Sequence, residues 1–124
     1  MNVVDSSAWL EYLGDGPSAS EFAVAIEDPE SLVVPAIVLF EVFKRTRQLL
    51  GEAAAFEAAG LLLQGRVVEL SAGLALDAAT LSMEFGLPMA DAVILATAQG
   101  ESAALWTQDA RFKDLASVEY REKR

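Results

Sequence analysis

The sequence predicts an α/β fold, with a central parallel sheet of four to five strands and helices on both faces. Three observations predict it. Short β-branched runs alternate with longer helical stretches from one end of the chain to the other, the order that builds parallel sheets. The 124 residues hold no internal repeat, low-complexity linker or shift in composition, so residues 1–124 read as a single domain. Acids stand where strands end and helices begin, the edge at which open parallel sheets place ligands.

The first strand is Val3-Val4, whose β-branched side chains suit burial. Asp5, Ser6 or Ser7 caps the helix begun by residues 8–13. Gly14-Asp15-Gly16-Pro17 is a turn, and residues 18–27 read as a helix with Phe22, Ala25 and Ile26 on one side. Asp28-Pro29 breaks it. Residues 31–34 form the second strand, and Pro35 suits the first turn of the next helix. That helix runs through Ile37, Phe40 and Phe43 to Leu50, where Gly51 supplies the stop. Residues 52–64 are alanine- and leucine-rich and helical, and residues 67–70 are the third strand. A helix over Ala72–Phe85 follows, with Asp77, Thr80 and Glu84 on its wet side. Residues 88–99 make another helix between Gly86 and Gly100. Ala104–Thr107 is the fourth strand, a short helical turn surrounds Phe112, and Val118–Tyr120 is an edge strand before a basic tail.

Composition excludes much chemistry. There is no cysteine and no histidine, so disulfides, thiolate or imidazole metal sites, Ser-His-Asp and Cys-His nucleophiles are all ruled out. Carboxylates are left to do the work of any enzyme built on this chain. Nothing at the start reads as a signal peptide, because Asp5 interrupts the early apolar run and no base precedes Lys44. No charge-free apolar run approaches the roughly 18 residues of a membrane helix, so a cytoplasmic protein without membrane attachment is expected. The net charge of −10 argues against generic nucleic-acid binding, which uses a basic surface.

Four acids are oddly placed. Asp5 and Asp109 each follow a strand, and parallel strands bring both to one sheet edge. Glu41 is the only charge between Glu30 and Lys44, and Asp91 the only one between Glu84 and Glu101. Helices apolar all round are buried helices, and an unpaired carboxylate there is expensive. Each acid also has a plain structural role open to it: a cap for Asp5 and Asp109, a pair with Lys44 or Arg45 for Glu41, a place in a helix first turn for Asp91. Four converging carboxylates require a compensating cation, and an all-oxygen donor set fits Mg²⁺ or Mn²⁺.

These residues carry a family resemblance along nearly the whole chain. It runs from Val3-Val4-Asp5-Ser6-Ser7 through Val34-Pro35-Ala36-Ile37-Val38-Leu39-Phe40-Glu41-Val42. It continues in Gly86-Leu87-Pro88-Met89-Ala90-Asp91-Ala92 and Leu105-Trp106-Thr107-Gln108-Asp109-Ala110-Arg111-Phe112. In them the chain resembles a PIN-domain ribonuclease, most closely the free-standing VapC toxins of type II toxin–antitoxin systems. The resemblance implies a single PIN-like domain in which Asp5, Glu41, Asp91 and Asp109 are both catalytic and metal-binding, holding one or two ions. It implies supporting hydroxyl or water contacts from Ser6 and Thr107. It also implies an RNA substrate, a homodimer, and a cognate antitoxin that binds over the site.

Metal-activated water would then hydrolyse an RNA phosphodiester in line, leaving a 5′-phosphate and a 3′-hydroxyl. The bases answer part of the charge objection: Lys44, Arg45 and Arg47 follow Glu41, and Arg111 and Lys113 follow Asp109, as possible RNA contacts. A mean hydropathy of +0.32 is high for a small monomer, and Phe22, Ile26, Phe40, Phe43, Leu49 and Leu50 exceed what one core absorbs. Two other functions fit the same residues less well. One is a catalytically inactive PIN-fold binding module. The other is a receiver-like phosphoacceptor domain, which needs a lysine on a late strand where this chain offers Thr107.

Overall fold

The computed structural model describes residues 1–124, and its elements alternate as the sequence predicts. Strand β1 (Asn2–Val4) leads to helices α1 (Ser6–Leu13) and α2 (Ala19–Ile26), then to β2 (Leu32–Pro35). Helices α3 (Ala36–Leu50) and α4 (Glu52–Leu62) connect to β3 (Arg66–Val68), and α5 (Ala72–Phe85) and α6 (Met89–Gly100) to β4 (Ala104–Thr107). Short 3-10 turns at Pro29–Ser31 and Ala110–Phe112 precede β2 and β5 (Val118–Tyr120).

All five strands are parallel, in the order β3-β2-β1-β4-β5. The register sets Val3 beside Val33 on one side and Leu105 on the other. From β1 the chain steps outward twice, to β2 and β3, and then returns across the sheet to β4 and β5. With right-handed crossovers, the outward steps put α1 to α4 on one face and the return puts α5 and α6 on the opposite face. The order reverses at β1 and β4, and the crevice beyond their carboxyl ends is where such sheets bind ligands. A receiver-like fold has the order 2-1-3-4-5 instead, so that alternative is excluded.

The core follows from the β-branched strands and one central helix. Val3, Val4, Val33 and Val34 are fully buried, as are Trp9, Phe22, Leu62 and Phe112. In α6 every residue from Ala92 to Ala98 is buried, where the helix lies against β1, β2 and β4. No single helix is long and apolar enough to cross a membrane.

Several boundaries and faces differ from the sequence reading. Pro35 ends β2 in extended backbone at ψ 136° rather than opening α3. Its partner is Val68, so β3 (which begins one residue early, at Arg66) stops there, two residues short of the predicted end, and Glu69 and Leu70 are exposed. Helix α3 is not buried all round: only Val38, Val42 and Thr46, spaced four apart, are inside. Of the six apolar residues expected to exceed the core, Phe22 and Ile26 are in it, whereas Phe40, Leu49 and Leu50 lie open. The left-handed Gly86 (φ +66°) closes α5 and turns the chain towards α6, a conformation that side-chain-bearing residues resist.

Candidate active site

Asp5 is the first residue beyond β1, and its backbone N–H still donates to the Trp106 carbonyl at 3.0 Å. Its side chain caps α1 by accepting from the Ala8 N–H at 2.9 Å, and accepts from Ser7 Oγ at 2.7 Å on the same oxygen. The other oxygen accepts from Thr107 Oγ1 at 2.5 Å. Only 3% of Asp5 is exposed. Burial pushes its carboxyl up to about 6, against the pull of the Thr107, Ala8 and Ser7 hydrogen bonds, and repulsion from Asp109 adds to the rise.

The end of β4 is tied to the same point. Thr107 is fully buried and its hydroxyl accepts the Asp109 N–H at 2.8 Å while donating to Asp5. The Gln108 N–H reaches Ser7 Oγ at 3.3 Å, completing a link between the two strand ends. Asp109 caps the following 3-10 turn by accepting the Arg111 N–H at 2.9 Å.

The helical acids approach from the flanks. Glu41, in the second turn of α3, accepts from Ser6 Oγ at 2.5 Å, 35 residues away in sequence. It forms no ion pair with Lys44 or Arg45. Asp91, in the first turn of α6, accepts from Arg111 Nη1 at 3.2 Å, and the same nitrogen lies 3.4 Å from Asp109. Burial raises the Asp91 carboxyl, Asp109 and Glu41 raise it further by repulsion, and Arg111 lowers it. Asp5, Asp109, Asp91 and Glu41 thus form one electrostatically connected group at the carboxyl edge of the sheet.

Its donors are carboxylates and hydroxyls only, a set that suits a hard divalent cation. No three acids stand close enough to ligate one ion together, and the Arg111 guanidinium supplies the positive charge between Asp91 and Asp109.

The candidate RNA contacts separate into two groups. Arg47 turns to Glu52 at 3.9 Å, Arg111 to the acids, and Lys113 lies 6.0 Å from the Tyr120 ring centre. Lys44, Arg45 and Lys113 are exposed and have no carboxylate partner, and Lys44 too lies near a ring, 5.7 Å from the centre of Phe40. The roles of Ser7 and Gln108 in fixing Asp5 went unread in the sequence, although the Ser6-Ser7 pair after a strand-end acid is a signal for them. The Gln108 side-chain carbonyl is buried without a donor.

Comparison with known proteins agrees with this fold. Three solved structures superpose along nearly their full length. A toxin–antitoxin complex from Klebsiella pneumoniae is 22% identical with a TM-score of 0.83, covering 99% of this chain and 100% of that one. VapC20 of Mycobacterium tuberculosis, described as a sarcin–ricin loop cleaving toxin, is 21% identical with a TM-score of 0.78, covering 94% and 95%. VapBC2 from Rickettsia felis, bound to a DNA fragment from its promoter, is 15% identical with a TM-score of 0.74, covering 98% and 97%. At such identities the likeness establishes a common fold. No curated protein matches by sequence. The family description of the PIN domain matches residues 3–118, and the chain belongs to the PIN domain family.

Proposed function

We propose that this PIN domain is a metal-dependent endoribonuclease and the toxin of a toxin–antitoxin pair. The single observation that carries the reading is the placing of Asp5 and Asp109 at the ends of the adjacent strands β1 and β4, with Asp5 buried and held by three hydrogen bonds, and Arg111 tying Asp91 to Asp109. Those four acids would hold Mg²⁺ or Mn²⁺, one ion or two. When bound, such an ion lowers the pKa of water and offsets charge developing on a phosphate.

The chain's own residues prepare the site. Thr107 and Ser7 fix both oxygens of Asp5, and Ser6 orients Glu41. With no histidine in the chain, paired-histidine ribonuclease chemistry is excluded, and attack by a metal-activated water would not use the RNA 2′-hydroxyl. The products are a 5′-phosphate and a 3′-hydroxyl.

The toxin half of the proposal draws on the structural relatives, among them a toxin–antitoxin complex and a toxin described as cleaving the sarcin–ricin loop. Apolar side chains left open on α3, on α4 and just after it, including Phe56 and Leu63, suit an antitoxin segment, and Leu76 and Met83 on α5 suit a second copy in a cytoplasmic homodimer. Light scattering that gives a 13.2 kDa monomer at high micromolar concentration would refute the dimer.

The test of the activity is labelled RNA with Mg²⁺, Mn²⁺ or a chelator. Cleavage that requires a divalent ion and is absent in a folded Asp91→Asn protein supports the reading. RNA left intact under every ion would favour a PIN-fold binding module, which the Arg111 bridge between Asp91 and Asp109 also suits.

A further inference from the structure

The acidic edge opens on one side into a cleft along α3, and we propose that this cleft binds one nucleotide of single-stranded RNA. Its base stacks on Phe40 and its phosphate lies against Lys44 and Arg45. The inference rests on the ribonuclease reading, because it names a subsite beside the bond that is cut.

The cleft is about 350 Å³ in volume and is lined by Ser6, Phe40, Glu41, Lys44, Arg45 and Gln48, among others. Ser6 and Glu41 belong to the acidic edge as well, so cleft and edge are continuous.

Charge is the second observation. The chain has 9 bases against 19 acids, and Arg47, Arg66, Arg111, Arg121 and Arg124 are each committed to a carboxylate. Lys44 and Arg45 are neighbours, exposed and uncommitted, although Glu41 lies within one turn and accepts from Ser6 instead. Two free cations beside a carboxylate edge, in so acidic a protein, fit a ligand that brings its own negative charge.

The third observation is Phe40. Its side chain is 62% exposed on the cleft wall, with the Lys44 ammonium 5.7 Å from the ring centre. Open aromatic rings set among cations along a groove are how proteins hold single strands, since every base has a face to stack and every phosphate a charge to meet. A protein partner fits the opposite side of Phe40 better. There α3 and α4 form a second groove that shares Phe40 and Lys44 with the cleft and is otherwise apolar, lined by Leu39, Phe43, Phe56 and Leu63.

The test is fluorescence anisotropy of the full chain with a labelled single-stranded RNA of about twelve nucleotides, in calcium buffer over a series of salt concentrations. Phe40→Leu should weaken binding about tenfold without changing the salt slope, and Phe40→Trp should restore it. Replacing Lys44 and Arg45 together by Gln should reduce the slope by about 0.7, the value for one phosphate contact on a single strand. All three side chains are exposed, and melting curves confirm that the variants fold. Unchanged affinity in Phe40→Leu, or an unchanged slope in the double variant, overturns the proposal. So does a Phe40→Leu protein that binds RNA normally but loses its dimer, which would assign the ring to a protein interface. A wild-type chain that neither binds nor cuts RNA defeats the ribonuclease reading itself; one that does both while the variants match it defeats only the subsite.

Discussion

Helix α6 crosses the middle of the sheet, and helix α3 lies towards the β2–β3 side. Seven consecutive residues of α6 are buried, because β1, β2 and β4 lie beneath it and α5 packs over it. In α3 the buried residues form one stripe, Val38, Val42 and Thr46, whereas Phe40 on the far face and Leu49 and Leu50 in the last turn lie in solvent. The difference teaches that an apolar helix records two different demands. In α6 the demand comes from within the fold, since a helix enclosed on all sides can hold no polar face. In α3 the fold uses one stripe flanked by Ile37 and Leu39, and Phe40, Leu49 and Leu50 stay open to solvent.

The acids are where the two helices are alike, and the largest expected effect falls on them. Asp91→Asn on α6 and Glu41→Gln on α3 should each reduce RNA cleavage on the order of a thousandfold, about 4 kcal/mol of transition-state stabilisation. Both proteins should remain folded, because each change removes charge without opening a cavity. Single-turnover cleavage of a labelled RNA measures this. Full activity in a folded Asp91→Asn protein would sink the shared site.

Packing should then separate the helices sharply. Ile94→Ala empties a fully buried position and should lower stability by roughly 2–5 kcal/mol. Leu50→Ala, at a position 70% exposed, should change it by no more than about 0.5 kcal/mol. Denaturant titrations of the two variants give the contrast directly. Equal losses would mean that α3 is buried in solution, as it is if a tight dimer covers it.

How much of this was readable from residues alone follows the same division. The alternation of strands and helices was legible because strand-like runs such as Val3-Val4 and Ala104–Thr107 are short and bounded by turns or helix caps. The end of β3 was misread because no local signal shows that its partner strand stops at Pro35. Phe22 and Phe40 look equivalent in sequence, and only their places in the topology make one core and the other surface. In the candidate site, the strand-end positions of Asp5 and Asp109 were legible from the junctions they occupy. The Ser6–Glu41 bond and the Arg111 bridge were not, since each joins residues 20 or more apart whose meeting depends on the tertiary fold.

Asp5 extends the comparison to the strand edge, where burial acts on a charge instead of a hydrophobe. Its carboxyl is raised from 3.8 to about 6, so the folded state holds a proton more tightly than the unfolded state does. Stability from this group is therefore fully present below pH 4 and is lost as pH rises towards 6, a change on the order of 3 kcal/mol. Asp91 shifts in the same direction. The metal-free protein should accordingly lose melting temperature between pH 4 and 6, and Asp5→Asn should flatten that decline and melt higher than the wild type at pH 7. Millimolar Mg²⁺ or Mn²⁺ at neutral pH should raise the wild-type melting temperature, and less so in the variant. An equally steep decline in Asp5→Asn would show that another group governs it.

The smallest effect concerns the bases, which differ between the two sides of the site as the helices do. Beside α3, Lys44 and Arg45 are free, whereas beside α6 the Arg111 guanidinium is shared by Asp91 and Asp109. Arg111 is more than half exposed, so solvent screens the pair and its loss should cost under about 1 kcal/mol of metal-free stability. Arg111→Met keeps the side chain's bulk and removes its charge. If the guanidinium and a divalent ion compete for the same two carboxylates, removing it should tighten Mn²⁺ binding a few-fold in calorimetry, even as the metal-free protein becomes slightly less stable. The double replacement of Lys44 and Arg45 by Gln should leave Mn²⁺ binding nearly unchanged, since neither touches an acid. A weaker Mn²⁺ affinity in Arg111→Met would mean that Arg111 holds Asp91 and Asp109 in place for the ion instead of standing in for it, and the two sides of the site would then differ in geometry and not in charge.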